Sequence, residues 1–153
     1  MSIYQISYLI LPQKGKYTLF EGLNLSSFIN KDLFEDDLFW EGLNIKLSSL
    51  EKHISQNFEE GESWSKKLKI YGDNDTNCLK IFLENDVVVS ISFRINFKDD
   101  FTQFLKKIII FCDEFNFVIV DNDFNVLSNN QNEIYENIKN SNTVKRFNEF
   151  FNS

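Results

Sequence analysis

Leu68-Lys69-Ile70-Tyr71, Leu79-Lys80-Ile81-Phe82-Leu83 and Val87-Val88-Val89-Ser90-Ile91-Ser92-Phe93-Arg94-Ile95 each alternate with a period of two, the mark of strands that bury one face. Glu84-Asn85-Asp86 joins the second to the third as a hairpin connection, and no helical spacing separates any of the three. Consecutive strands without a crossover helix form an antiparallel meander, because parallel neighbours need a connection of a dozen or more residues. Alternation also speaks against a doubly wound parallel fold, whose strands read as continuous apolar runs.

Outward from the meander the periodicity changes. Phe101, Phe104, Leu105, Ile108, Phe111, Cys112 and Phe115 repeat at three and four residues, which predicts a long helix. Asp100 with Gln103 supplies its N-terminal box, and Asn116 tolerates the left-handed conformation that closes it. A short buried strand follows over 117–120, and Asn125-Val126-Leu127 pairs back across Asp121-Asn122-Asp123. Two terminal helices span about 130–140 and 143–151. On the N-terminal side, Ile3 to Leu11 alternates as a strand closed by Pro12, and 24–38 is ambiguous, with a short helix near 30–35 as one reading. Residues 47, 50, 54 and 58 define a helix face, and Ser48 with Glu51 forms a capping box. Helices before and after a meander give an α+β class: one domain over 1–153, an antiparallel sheet with helices packed mainly on one face.

The chain has 153 residues, enough to bury roughly two-thirds of its unfolded surface. Its apolar content is carried by large side chains: there are 17 Phe, 5 Tyr and 2 Trp, and no alanine. That excludes disordered, collagen-like and disulfide-scaffold classes. Two cysteines, Cys78 and Cys112, in apolar surroundings and without an export signal point to buried thiols in a reducing cytoplasm. No apolar run is long enough for a membrane span. With 16 basic and 23 acidic residues the net charge is −7, which disfavours nucleic acid and suits a basic protein partner.

Several constellations carry candidate chemistry. Asp73-Asn74-Asp75-Thr76-Asn77, with Glu84 at the twelfth place, has the oxygen spacing of a calcium loop, but Cys78 stands where that loop needs glycine and a strand fills its second half. An Asx-rich turn explains it better, and no metal is expected. His53, the only histidine, falls at the border of its helix face and has no G-x-S-x-G or polar cysteine to serve. Phosphate-cradling glycine loops are missing, so no cofactor is expected. Carboxylates remain: Glu35-Asp36-Asp37 before Trp40, and Glu59, Glu60 and Glu62 before Trp64. Acids that follow a helix C-terminus face the negative end of its dipole, so the second group has no folding role in the sequence. Arg94 falls in one alternation phase with Ser90 and Ser92, and with Val88, and Asp73 or Asp75 would be its natural partner.

Trp40-Glu41-Gly42, Trp64-Ser65, Tyr71-Gly72-Asp73-Asn74-Asp75, Arg94-Ile95-Asn96 and Lys145-Arg146-Phe147 together resemble a family of small uncharacterised bacterial proteins loosely associated with toxin-immunity neighbourhoods. The resemblance spans about 40–151, and Asn96 stands where it leads one to expect Asp. It transfers no catalytic residues. The leading expectation is a non-catalytic, cytoplasmic immunity protein that covers a basic toxin or effector with an acidic, aromatic-bearing surface drawn from Glu35, Asp36, Asp37, Trp40, Glu59, Glu60, Glu62, Trp64, Asp73, Asp75 and Arg94. The alternatives are a small hydrolase-like enzyme using Asp73, Asp75 and Arg94, and an adaptor or chaperone for an effector. Homodimerisation through an aromatic face is compatible with each.

Overall fold

The computed structural model describes residues 4–73 and 75–152. Six strands, β1 (Gln5–Pro12), β2 (Leu68–Gly72), β3 (Cys78–Glu84), β4 (Val87–Asn96), β5 (Phe117–Val120) and β6 (Val126–Leu127), form one sheet in the order β2-β3-β4-β1-β5-β6. Every pairing is antiparallel. The helices are α1 (Ser48–Asn57), α2 (Thr102–Phe115), α3 (Gln131–Lys139) and α4 (Asn142–Asn152). The meander is β2, β3 and β4, and Asn85 and Asp86, both at positive φ, make the two-residue turn between its last two strands. The first strand in the chain lies inside the sheet, with Ile6 opposite Ile95 and Leu9 opposite Val120.

One face of the sheet packs on helices. Ile6, Tyr8 and Ile10 of β1, Leu79, Ile81 and Leu83 of β3, and Ile91, Phe93 and Ile95 of β4 meet Leu50 and Ile54 of α1, Leu105, Ile108 and Phe111 of α2, and Ile134 and Ile138 of α3. Each such side chain stabilises the fold by about 1.5–3 kcal/mol when fully buried. Without alanine, the gaps are filled by rings: Phe111, Phe115 and Phe117 touch one another at centroid distances of 5.4 to 5.8 Å. On the opposite face Leu68 and Ile70 of β2 are buried with Cys78 of β3, and a larger cover lies over β1, β5 and β6. There the irregular segment 13–40 buries Leu19, Leu25 and Phe39 on Leu11, Val118, Val120 and Val126. It contains three short 3-10 turns, Leu25–Ser27, Lys31–Leu33 and Asp36–Phe39. Asn24 and Asn30 start the first two by accepting from the backbone N–H two residues on, a bond that favours a tight turn over a long helix.

Local details depart from the sequence in three places. Leu47 already has helical backbone and its carbonyl accepts from Leu50 and Glu51, so Ser48 lies inside the first turn of α1 and forms no cap. A β-bulge opposite Phe82 and Leu83 reverses the alternation of β4. Val88 therefore turns inward with Ile91, not outward with Ser90, Ser92 and Arg94. At the start of α2 the N-cap is Phe101, not Asp100, so the Asp100–Gln103 box is not formed; Asp100 accepts from Thr102 N–H instead, which holds its carboxyl below the usual range. Asn116 closes that helix at φ 56 and ψ 48.

The chain also builds a polar network that joins its layers. Asp121, 7% exposed, accepts from the backbone N–H of Asp123 and Asn125 and from the side-chain amides of Asn125 and Asn137. Asn137 on α3 accepts from the Tyr8 hydroxyl at 2.9 Å, and Asn24 of the covering segment donates to Asn125 Oδ1 at 2.8 Å. Burial, then the charge of Asp121, pushes the Tyr8 phenol far above its ordinary range. Replacing Asn137 by Asp sets a second carboxylate against Asp121. Like charges raise the pKa of the pair, so the folded form holds a proton that the unfolded chain releases near pH 4, and stability falls as pH rises above that. Urea unfolding of Asn137→Asp is expected to show a loss of roughly 1–2 kcal/mol between pH 5 and pH 8 that the parent protein lacks.

Candidate functional site

Between these two covers the second face presents Lys80 and Phe82 from β3 and Ser90, Ser92 and Arg94 from β4, since these side chains point away from the helices. Two candidate residues border it from opposite sides. Trp64, 70% exposed, holds its ring over Lys80, with Nζ 5.5 Å from the centroid. Asp36 reaches over from the covering segment and accepts from the Ser90 hydroxyl. Arg94 sits in register between Cys78 on β3 and Ser7 on β1. The fold thus gathers Asp36, Trp64 and Arg94 on one half-face. Lys80 and Phe82 were not singled out in the sequence, although the outward phase Cys78, Lys80, Phe82, Glu84 places them there once the strand is accepted.

Glu59, Glu60 and Glu62 have a role that the sequence hides. Gly72 N–H donates to Glu59 O and Gly61 N–H to Ile70 O, each at 2.7 Å, so the chain after α1 pairs with the outer edge of β2. Glycine is required at 61, because a Cβ there would sit 2.7 Å from the Gly72 carbonyl oxygen. The acids leave the helix axis and line a sheet edge, where charge discourages pairing with another chain. Glu60 also pairs with Lys69 at 3.3 Å in the open, a contact worth little by itself. Beside this edge a groove of about 370 Å³ runs past Trp64, Lys66 and Lys69. Burial, then Glu60 and Glu51, pushes the Tyr71 phenol up to about 12.

The remaining candidates scatter. Trp40 is 3% exposed and packs edge-on against Phe117 at 5.0 Å, so it is a core anchor and not a binding surface. Glu35 and Asp37 are exposed in the covering segment. Asp73 and Asp75 are exposed in the β2–β3 turn, where Asp73 Oδ1 accepts from Asp75 N–H and Asp75 O accepts from Gln5. Asn74 lies outside the described residues. Asn96 holds that turn to β4 through its N–H on Asn77 Oδ1. Among the described residues no group of three or more acids, cysteines or histidine is placed to hold a metal ion. His53 packs against Phe111 and Phe115, with its Nε2 enclosed. Cys78 is buried, yet Arg94, its cross-strand partner on β4, adds to Lys80 of its own strand a basic context that the sequence did not show. Burial pushes its thiol up, and Arg94 and Lys80 oppose that without reversing it. Burial also pushes Cys112 far up. No helix of the described residues is long and apolar enough to cross a membrane.

Comparisons with protein-family models, curated proteins and solved structures found no match.

Both thiols are expected to stay protonated and shielded at pH 8. Ellman's reagent should release less than about 0.2 equivalents from the native protein and about two after denaturation. Tyr71 supplies an alkaline signature. The unfolded phenol ionises from pH 10 while the folded one stays neutral to about 12, so stability falls across that window. Tyr71→Phe should flatten the slope of unfolding free energy there by up to about 1.4 kcal/mol per pH unit, measured by denaturant titration.

Proposed function

We propose that this protein is a non-catalytic binding protein of the immunity type, which neutralises a cognate basic toxin or effector domain by covering its active site. One observation carries the reading: every aspartate and glutamate except Asp36 and Asp121 is exposed. The charge of −7 is therefore an outward field and not a by-product of core ion pairs. Such a field speeds the approach of a basic protein and disfavours acidic ones. Exposed rings, Trp64 above all, add the rigid apolar contact that protein interfaces concentrate at their centres. The reading calls for no cofactor, nucleic acid or membrane, and it places the complex in the cytoplasm.

The test is co-expression with the product of the adjacent gene. A stable complex on gel filtration and loss of that product's activity are expected. Its association rate should fall at least about tenfold between 50 and 500 mM salt. A neighbour product that keeps full activity in the presence of excess protein overturns the proposal.

A further inference from the structure

Resting on that reading, we infer that the docking surface is the outer side of the covering segment over residues 20–41. The partner presents lysines and arginines around an apolar centre. Three observations converge on this segment.

The first is charge. Residues 20–41 hold Glu21, Asp32, Glu35, Asp36, Asp37 and Glu41 against Lys31, and Lys16, which pairs with Glu41 at 3.3 Å, brings the net of this surface to −4. The sheet edge over 59–69, which looks acidic when Glu59, Glu60 and Glu62 are read by themselves, also carries Lys66, Lys67 and Lys69 and sums to zero. Of these two acidic stretches only residues 20–41 keep a surplus.

The second is exposed apolar surface. Among the described residues seven large hydrophobic side chains are exposed, and three of them, Phe20 at 58%, Phe28 at 42% and Leu33 at 71%, fall in this segment. Phe28 touches Tyr17, Tyr17 touches Phe39, and Phe39 touches Phe34 beside Leu33, so the outer apolar side chains continue a ring cluster rooted in the core. Large apolar groups left in water among charges mark interaction sites.

The third is order. The segment has almost no regular secondary structure, but Asn24 and Asn30 fix two of its turns, Leu25 and Phe39 are buried beneath it, and the Ser90–Asp36 hydrogen bond ties it to β4. A surface held in place before binding loses little conformational entropy on contact. A second copy of this chain would oppose −4 with −4, so the occupant is a basic partner and not a homodimer mate.

The probe is a synthetic nine-residue peptide of three leucines flanked on each side by three lysines, titrated into the ¹⁵N-labelled protein. Saturable amide shifts concentrated in residues 20–41 are expected. Asp32→Lys/Glu35→Lys/Asp37→Lys should weaken binding at least about 30-fold and Leu33→Asp about fivefold, while Glu59→Lys/Glu60→Lys/Glu62→Lys should change it less than about twofold. All three variants alter exposed side chains and are expected to keep the parent amide spectrum outside the substituted segment. Shifts centred on 59–69, or a leucine-free nonalysine peptide that binds as tightly, overturn the assignment. The shift map is independent of the toxin assay. A failed map leaves the immunity reading standing, and a failed toxin assay leaves the map intact.

Discussion

A single buried carboxylate ties the three layers of this protein together. Asp121 accepts from two backbone amides and two side-chain amides. A buried carboxylate costs several kcal/mol unless its oxygens are filled, and these donors come from different parts of the chain. Asn137 brings in α3, and through it Tyr8 of β1, while Asn125 brings in the covering segment through Asn24. Helix layer, sheet and covering segment are thereby held in one register at the end of β5. Nonpolar packing supplies most of the stabilisation, but it is non-directional, and the network specifies how the layers sit.

The sheet is finished differently at its faces and its edges. Helices pack on one face, the segment 13–40 covers part of the other, and Leu68, Ile70 and Cys78 are buried on another part of it. At the β6 edge, Leu23 O accepts from Val126 N–H and Val126 O accepts from Gly22 N–H; at the β2 edge, Glu59 and Gly61 pair with Gly72 and Ile70. With both edges taken, recognition by adding a strand is closed off, and a partner meets side chains. That shifts attention to the two exposed surfaces that carry rings, the half-face bordered by Trp64 and the acidic covering segment. Their charge differs, because the half-face carries Lys80 and Arg94 with Asp36 whereas residues 20–41 carry six acids against one lysine.

The strands and helices were legible because their signals are local. Period-two alternation marked β2 to β4, three-and-four spacing marked α2, and Asn116 marked its end. The misreadings share a cause in contacts made by distant residues. Ser48 looked like a cap, but Leu47 was drawn into the helix by the core beneath it. Val88 looked outward until a bulge, invisible in one strand taken alone, shifted its phase. Trp40 looked like an interface residue because aromatic type does not reveal depth. Glu59, Glu60 and Glu62 looked surplus because their pairing partner, β2, lies about ten residues on and pairs by backbone, which has no side-chain signature.

The sequence by itself determined the α+β class, the element order, the meander and the acidic balance, since each depends on spacing within a dozen residues or on composition. Only the tertiary structure decided that β1 lies inside the sheet, that Asp121 is the buried anchor, and that the irregular segment 13–40 lies across the second face of the sheet. The physical reason is the same in each case. Burial, neutralising charges and hydrogen-bond partners are set by residues brought close from far along the chain, and sequence spacing carries no record of them.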